Sequence, residues 1–513
     1  MPLLYGSVSL TLIVVFVAFF IWLYFYFTRN FDFWVKLGIP YVKPVPFLGN
    51  LKDVMLQRID IAHHLKNLCD AHKVKAYLGI FAFDKPALIV NDLDLVKKIV
   101  AQDSQKFIDR IIDVNADIDP VFGLGIFSLK GRKWKHIRMN LSPAFTSGKM
   151  KMMFYLVENC GKELVRCLDA HRDSPVMVRE TMARYTTDAI STCALGIESN
   201  SLKNPDAEVR QQMRRVFDHT VRKGIAVLFM FFAPALQNFF LLNFVEHETA
   251  RFFRSTVWST VQYREKHGVV RRDLLDSLME LRKRGLEGIG SEQDTKFDGD
   301  LFVAQAFHIF IGGFETSSST TTFALHQLAF HPEIQKRLRE EIKANLAKHN
   351  QEVTYDGTKE MAYLDMVVSE TLRKFPALAF LDRVCIQDYE IPDPSGESNV
   401  ILPAGTPIYI PLLAKHNNPE YYPDPERFDP ERFTEENKQA RHKYSYLPFG
   451  EGPRLCIGKR FGLMQVKTAL THILSKFEVE PCKDTPRYPT YDPKSFLLLT
   501  RDDIQLKFKR IED

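Results

Sequence analysis

Apolar residues form one long run near the start of the chain, and this run predicts a membrane-spanning helix. Residues 10–27, LTLIVVFVAFFIWLYFYF, are almost purely apolar, and no charged side chain precedes Arg29. A helix of about 20 residues crosses the roughly 30 Å of a bilayer's hydrocarbon core. Trp22, Tyr24 and Tyr26 suit the membrane interface at its end. Residues 1–28 are therefore predicted to be a membrane anchor; a buried core helix is the alternative.

The residues after this run predict its orientation. Arg29, Lys36 and Lys43 follow the span, and basic residues favour the cytosolic side, so we expect the rest of the chain in the cytosol. Prolines at positions 40, 44 and 46 fix φ and resist both helix and central strand. Residues 29–50 are thus predicted to form a stiff basic and proline-rich elbow before the body.

Hydrophobic periodicity in residues 51–513 predicts one mainly α domain with small β-sheets. Most of this stretch repeats every 3.6 residues. Short strands are predicted near residues 75, 86 and 399, and for SFLLLT (495–500) and IQLKFK (504–509) close to the C-terminus. A second apolar patch, residues 224–245, suits either a core helix or a segment that dips into the bilayer.

Composition and charge argue against a nucleic-acid-binding protein and against a structural zinc site. The net charge of +5 over 513 residues is mild, which argues against a nucleic-acid binder and is compatible with an anionic membrane surface or an acidic partner. Of the seven cysteines, no two form a C-x-x-C pair, which counts against structural zinc. Most of them are expected to be reduced, buried thiols.

Cys456 differs from the other six because it lies in FGEGPRLCIG, residues 449–458. A helix is predicted over residues 457–477, so its positive end would face the sulfur. That end and Arg454 both favour a thiolate, the form that binds metals. Gly450, Gly452 and Gly458 permit close backbone approach, and backbone N–H groups could donate to the sulfur. The loop suits a single thiolate ligand on a haem iron; a buried structural thiol is the alternative.

Residues 300–332 predict a helix with Gly312 and Gly313 at its centre. Each glycine costs about 1 kcal/mol relative to alanine inside a helix, so a flat group against the backbone, or a kink, should compensate. Glu315 and Thr316 follow at once. The alternative is an ordinary helix whose Ser and Thr hydroxyls bond back to its own carbonyls.

These motifs together resemble the cytochrome P450 superfamily, and in particular the microsomal detoxifying members of insects. The pattern F-x-x-G-x-R-x-C-x-G resembles the family's haem-ligand loop, with Phe449 and Gly458 at its ends. The other family marks follow in the same order over essentially the whole chain. They are Trp134 with Arg138, Gly312-Gly313-Phe314-Glu315-Thr316, Glu370 with Arg373, and Pro430-Glu431-Arg432-Phe433. One departure is Asp382, where relatives often carry Asn.

The resemblance implies a P450-like fold with haem b bound to Cys456, and it assigns roles to the other residues. Thr316 would hydrogen-bond dioxygen, and Glu315 would belong to a proton relay. Trp134, Arg138, Arg383 and Arg454 would meet the haem propionates. Glu370, Arg373 and Arg432 would form a buried triad that serves folding and haem retention. Pocket walls are expected from residues 105–128, 307–314, 377–380 and 495–497.

The resemblance also implies the reaction and its partners. A haem-thiolate monooxygenase inserts one oxygen atom of O2 into lipophilic molecules such as plant toxins or insecticides. No dinucleotide-binding fingerprint is present, so NADPH would act through NADPH–cytochrome P450 reductase, with cytochrome b5 as a second donor, at the endoplasmic reticulum membrane. The basic stretch 130–140 suits reductase docking. Alternatives are a biosynthetic enzyme acting on an endogenous lipid, steroid or hormone, a reductase-independent peroxide rearrangement, a non-enzymatic haem sensor and a thiol nucleophile.

Overall fold

The structure is a computed structural model that describes residues 2–74, 76–171, 174–217, 220–286, 296–392 and 399–511, with side chains from residue 12 onward. The predicted ends at Met1 and at residues 512–513 lie outside the described residues. Within this part, helices predominate and the strands are short. The prediction of a mainly α fold with small sheets is confirmed.

The helices extend over the whole chain and are numbered in chain order. They are α1 (Pro2–Thr28), α2 (Phe33–Lys36), α3 (Lys52–Met55), α4 (Ile61–Ala71), α5 (Leu93–Lys97), α6 (Pro120–Gly123), α7 (Gly131–Leu141), α8 (Ser147–Asp169), α9 (Val178–Ile190), α10 (Glu208–Val216), α11 (Val221–Phe232), α12 (Pro234–Phe239), α13 (His247–His267), α14 (Leu274–Arg284), α15 (Gly299–Phe330), α16 (Pro332–Lys348), α17 (Tyr355–Glu360), α18 (Ala362–Lys374), α19 (Leu412–His416), α20 (Glu435–Ala440) and α21 (Lys459–Leu474).

The strands form three small sheets. They are β1 (Tyr77–Ala82), β2 (Lys85–Val90), β3 (Val176–Met177), β4 (Phe380–Val384), β5 (Tyr389–Ile391), β6 (Val400–Leu402), β7 (Pro407–Pro411), β8 (Phe477–Pro481) and β9 (Gln505–Arg510). The strand orders are β1-β2-β7-β4, β3-β9-β8 and β5-β6. In the first sheet only β2 and β7 run parallel, and β4 pairs antiparallel with β7 so that Arg383 lies opposite Ile408.

The predicted strand over residues 495–500 is wrong. That segment makes only the isolated bridges Leu378↔Leu497 and Tyr491↔Thr500. Its leucines at 497, 498 and 499 are buried, so its apolar character reflects packing in the core and not a sheet ladder. The strands predicted near residues 75, 86 and 399, and for IQLKFK, are confirmed as β1, β2, β6 with β7, and β9.

The N-terminal apolar run forms a helix, most of which is not packed against the rest of the described chain. Within the described part of the chain, Leu12–Lys36 is the stretch long and apolar enough to cross a membrane, and its side chains from Leu12 to Ile21 are exposed. Since an exposed helix without a polar stripe is unstable in water, it is a candidate membrane span. Residues 39–50 lie along β1, where Val42 N–H donates to Gly79 O at 2.9 Å.

The apolar patch at residues 224–245 divides into a buried and an exposed part. Helix α11 buries Phe231 and Phe232. The end of α12 and the two residues after it are exposed to solvent. Phe239, Phe240 and Leu241 are 78%, 56% and 66% exposed. The first half of the patch therefore belongs to the core, and its tip is an exposed apolar surface of a kind that marks a contact site.

Helix α15 runs through the centre of the fold and carries the predicted Gly312–Thr316 segment. It packs against α9, α21, α6 and α18, and most of its side chains are buried. The predicted helix over 300–332 is confirmed, with bounds Gly299–Phe330. It ends earlier because Pro332 begins α16 and holds His331 at φ −131°, ψ 73°, as expected for a residue that precedes proline.

Candidate active site

A cavity lies between α15 and the loop that carries Cys456. Its volume is about 280 Å³, close to the lower end of the roughly 300–1,000 Å³ that small-molecule sites usually measure. Side chains from α7, β4, α15 and α21 line it together with residues 448–458.

The cysteine loop depends on two glycines. Gly450 and Gly452 both have a φ of 72°, the left-handed region that favours glycine. A Cβ on Gly452 would lie 1.9 Å from Val100 O. The backbone N–H of Cys456 donates to Phe449 O at 2.9 Å and closes the loop. Gly458, whose φ is −86°, precedes the first residue of α21.

Cys456 faces the cavity, but its thiol is not the low-pKa group that the sequence predicted. The side chain has accessible surface because it borders the cavity, while protein atoms surround it at longer range. This burial raises the pKa of Cys456, against the opposing effects of the Gly458 N–H, Arg138 and Arg110. Helix α21 begins at Lys459 and ends at Leu474, inside the predicted 457–477, because residues 477–481 form β8. A bound metal would deprotonate such a thiol outright.

Four arginines converge on the cavity. The sequence predicted Arg138, Arg383 and Arg454, and all three line it; Arg110, which the sequence analysis missed, lines it too. Arg110 Nη1 lies 3.1 Å from Asp382 Oδ1, and Arg383 Nη1 donates to Asp382 O at 2.6 Å. Asp382, the departure from related sequences, is buried and so supplies a counter-charge at this edge.

Arg454 is buried and is held from three sides. Its guanidinium carbon lies 3.7 Å from the centre of the Trp134 ring. Its Nε donates to Ile108 O at 2.8 Å and its Nη2 to Leu129 O at 3.0 Å. In the described part of the chain, Nη1 has no hydrogen-bond partner. Burial, together with repulsion from the neighbouring arginines, lowers the pKa of Arg454.

The two glycines of α15 lack side chains for different reasons. A Cβ on Gly312 would meet open space, whereas one on Gly313 would lie 2.8 Å from Ile190 Cδ1. Gly312 thus leaves room in the cavity, and Gly313 allows α15 to pack closely on α9. The helix continues without interruption through both residues.

Thr316 lines the cavity and Glu315 lies behind it. Thr316 Oγ1 donates to Gly312 O at 2.7 Å, and the following hydroxyls also bond back within α15. Glu315 is only 4% exposed and lies outside the cavity lining, where Oε1 is 3.5 Å from Arg179 Nη2. The structure therefore brings Thr316 to the cavity with the other predicted residues and pairs Glu315 elsewhere.

Glu370, Arg373 and Arg432 meet away from the cavity. Glu370 and Arg373 form a fully buried bidentate pair, with N–O distances of 2.7 and 2.9 Å. Arg432 Nε lies 3.6 Å from Glu370 Oε1. Burial raises the pKa of Glu370, while Arg373 opposes that rise. Arg373 also donates to His416 O and Pro425 O, so the group joins α18 to the chain before the cysteine loop.

The predicted cavity walls are confirmed, and further ones appear. Each of the four predicted segments contributes, through side chains such as Phe127, Ile309, Leu378 and Leu497. Phe217 and Phe244 also line the cavity and were missed. A sequence pattern could have pointed to Phe244 because it lies in the apolar patch 224–245.

The mainly helical fold thus places a thiol loop, a cluster of arginines and a long glycine-containing helix around one cavity. The family model described as Cytochrome P450 matches residues 39–508. The chain belongs to the cytochrome P450 monooxygenase family.

Among curated proteins, similar chains come from insects. Cytochrome P450 6j1 of Blattella germanica is 49% identical over 511 residues, with 99% of each chain covered. Cytochrome P450 6k1 of the same species is 42% identical over 499 residues, with 94% of each chain covered. Probable cytochrome P450 6a13 of Drosophila melanogaster is 37% identical over 508 residues, covering 98% of this chain and 99% of that protein.

Membership of this family implies a haem cofactor, and the residues at the cavity fit that group. The unpartnered Nη1 of buried Arg454 calls for an anion, which a propionate supplies. The open space beside Gly312 leaves α15 backbone accessible to a flat ring. The Cys456 thiol borders the same cavity and is a soft ligand for iron.

Proposed function

We propose that the protein is a haem-thiolate monooxygenase in which Cys456 is the axial ligand of haem b. The single observation that carries this proposal is the position of the Cys456 thiol and the Thr316 hydroxyl on one cavity whose remaining charge is a group of arginines. When bound, the haem supplies the activation of O2, so that one oxygen atom enters the substrate and the other leaves as water. The protein supplies the ligand, the anchoring charges, a proton path and a shaped pocket.

The residues that would hold the haem propionates are Trp134, Arg138, Arg383 and Arg454, and Arg110 in the same lining is a further candidate. Guanidinium groups pair with carboxylates through parallel N–H bonds. Arg454 is held by backbone carbonyls on two sides and by Trp134 on a third. Because it is fixed in this way, it can meet a propionate without losing further side-chain entropy.

Proton transfer is assigned to Thr316 and Glu315. The Thr316 hydroxyl already donates to Gly312 O, so its lone pairs face the cavity and can accept a hydrogen bond from a ligand or water. Glu315 is buried beside Arg179. Its proposed place in a relay therefore requires the carboxylate to exchange that partner for water near Thr316.

The substrate class is assigned from the walls of the cavity. Apart from the arginines, the lining is mainly aromatic and aliphatic, with Phe122, Phe127, Phe244 and Phe496 among its members. Such walls favour lipophilic molecules over polar ones. Because the similar proteins come from insects, we assign xenobiotics such as plant toxins or insecticides to this pocket.

NADPH is the assigned source of electrons, which a flavoprotein reductase would deliver to this protein, with cytochrome b5 as a second donor. Lys133 and Lys135 are exposed on α7, the same helix whose Trp134 and Arg138 line the cavity. A basic surface this close to the cofactor suits an acidic redox partner.

Lys133→Glu with Lys135→Glu should slow reductase-supported turnover and leave peroxide-supported turnover unchanged. The exposed pair Lys336→Glu and Lys343→Glu on α16 is the control.

Location is assigned to the endoplasmic reticulum membrane, with the body on the cytosolic side. The apolar part of the candidate span Leu12–Lys36 ends before Arg29, and the basic residues from Arg29 onward favour the cytosol. The exposed apolar tip at residues 239–241 suits a second contact with the same bilayer.

Turnover of a panel of lipophilic compounds tests this function. Purified holoprotein, reductase and NADPH should consume O2 and form products that carry one oxygen atom, which mass spectrometry with 18O2 detects. Haem-loaded protein that forms no oxygenated product with any compound would contradict the monooxygenase and favour a haem sensor. Product formation with peroxides alone would favour a reductase-independent enzyme.

A further inference from the structure

One wall of the cavity is an irregular segment that buried side chains hold in place. This wall segment, residues 119–128, contains only the four-residue helix α6 and contributes Phe122, Ile126 and Phe127 to the cavity lining. Irregular segments tend to open locally because few bonds hold their backbone. Here the backbone bonds to three polar side chains that are almost fully buried, Asp119, Gln305 and His308.

Gln305 joins the wall segment to α15 through both ends of its amide. It is 0% exposed. Oε1 accepts from Ile126 N–H at 2.9 Å, and Nε2 donates to Leu124 O at 2.7 Å and Leu301 O at 3.1 Å. The two N–H bonds of Nε2 are thereby used, and the partners fix which atom is oxygen. Gln305 therefore bonds to the backbone of the wall segment and of α15, and it has no N–H left for a ligand.

His308 supports the same segment one turn further along α15. Its Nδ1 accepts from Phe127 N–H at 3.2 Å, and its ring centre lies 4.9 Å from that of Phe122. Burial lowers the pKa of His308 to about 3, so the ring stays neutral and Nδ1 remains an acceptor. A Cβ on Gly125 would lie 2.1 Å from this ring, so the close approach of the wall segment requires glycine there.

Asp119 joins the other end of the wall segment to the chain that follows α12. Its Oδ1 accepts from Phe122 N–H at 3.1 Å, and its Oδ2 accepts from Phe244 N–H at 3.0 Å and Val245 N–H at 2.9 Å. Phe244 itself lines the cavity, and its ring centre lies 4.6 Å from that of Phe122. One buried carboxylate therefore sets the spacing of two aromatic walls.

We propose that Asp119, Gln305 and His308 are specificity-determining positioning residues that fix this aromatic wall before any substrate binds. Asp119 and Gln305 bond to backbone partners, whereas Nε2 of buried His308 has no hydrogen-bond partner in the described part of the chain, so Phe122, Phe127 and Phe244 select ligands mainly by shape. The pocket then takes compact, largely apolar molecules and rejects longer homologues. This selectivity rests on the proposed oxidation of substrates in the cavity.

Gln305→Leu against Gln335→Leu tests the inference. Gln335 is equally buried and also bonds to backbone at both ends, at Leu328 O, Val479 O and Val479 N, but it lies outside the cavity lining. Deuterium exchange of the full-length holoprotein should quicken about tenfold at amides 122–129 in Gln305→Leu, since buried hydrogen bonds are lost there. Gln335→Leu should leave those amides unchanged and affect β8.

Substrate selectivity is the second readout, with 7-alkoxycoumarins from methoxy to pentoxy as the probe. The natural chain should bind the shortest homologue at least about tenfold more tightly than the longest, as measured by the spectral shift on binding. Gln305→Leu should bring this ratio close to one, and Gln335→Leu should preserve it. If Gln305→Leu does not fold, Asp119→Asn replaces it, with the same expected increase in exchange and the same loss of selectivity. In that variant the Asn amide N–H would face a backbone N–H and could not accept its hydrogen bond.

Unchanged exchange at residues 122–129 in the wall variants would overturn the proposed restraint. Faster exchange with an unchanged ratio, or no binding of any homologue by the natural chain, would overturn the proposed selectivity. Failure of the proposed function is recognised separately, because the natural chain would then lack the thiolate-type spectrum of the reduced carbon monoxide complex or, with haem bound, form no oxygenated product. The exchange readout does not depend on turnover.

Discussion

The hydroxyl of Thr316 donates a hydrogen bond to the carbonyl of Gly312, 2.7 Å away and one turn earlier in α15. Both residues line the cavity. This bond uses the proton of the hydroxyl and leaves the oxygen lone pairs as acceptors. In the proposed function, this hydroxyl takes part in proton transfer.

Thr316→Val should uncouple electron consumption from product formation. Valine keeps the shape but removes the hydroxyl, so product formed per NADPH oxidised should fall about 100-fold, at the lower end of what positioned proton-transfer groups contribute. Thr316→Ser should stay close to the natural chain. Thr320, one turn later and also in the lining, gives the control Thr320→Val. Equal coupling in Thr316→Val and Thr320→Val would remove Thr316 from the proposed mechanism.

Gly312→Leu and Gly313→Leu should fail in different ways. A side chain at 312 enters open space, so that variant should fold and bind haem at least about tenfold more weakly, because the ring and the leucine compete for volume. A side chain at 313 meets Ile190, so that variant should lose about 1–3 kcal/mol or more of unfolding free energy. Thermal unfolding and haem titration of both proteins distinguish these outcomes. Similar haem affinity in Gly312→Leu and the natural chain would contradict the assigned ring position.

Glu370→Ala should strongly destabilise the protein although it does not touch the cavity. The change leaves Arg373 buried without its carboxylate partner, at a cost of about 3–5 kcal/mol. The exposed pair Glu435 and Lys438 has the same i, i+3 spacing, and Glu435→Ala should cost less than about 1 kcal/mol. Urea unfolding measures both, and comparable losses would show that the buried group has no special structural role.

His308 should make stability fall in acid. Its folded pKa of about 3 lies below its ordinary value of 6.5, so between these pH values the unfolded chain binds more protons than the native state. Stability therefore rises with pH across this window and is lost as pH falls through it. From pH 7 to pH 5 the contribution is about 2 kcal/mol.

His308→Gln should remove this contribution. The difference between the unfolding free energies at pH 7 and pH 5 should shrink by about 2 kcal/mol, while a substitution of exposed His267 should leave it as in the natural chain. An unchanged difference in His308→Gln would mean that the buried ring is not the titrating group.

Local motifs allowed much of the site to be predicted from the sequence, because residues close in the chain stay close in the fold. The cysteine loop, α15 and the Glu370–Arg373 pair are each confined to one short segment. Long-range partners were not accessible in this way. Arg110 with Asp382 and Glu315 with Arg179 join segments far apart in the chain, and no periodicity encodes such pairs. Cys456 was predicted to have a lowered pKa because nearby charges are visible in a sequence, whereas the burial that outweighs them is not.

The absorption spectrum of the reduced carbon monoxide complex tests the central claim, that Cys456 is the thiolate ligand of the haem. The natural chain and the control Cys482→Ala, a cysteine outside the cavity lining, should both give the thiolate-type spectrum. Cys456→Ala should lose it. A thiolate-type spectrum that persists in Cys456→Ala would contradict the account.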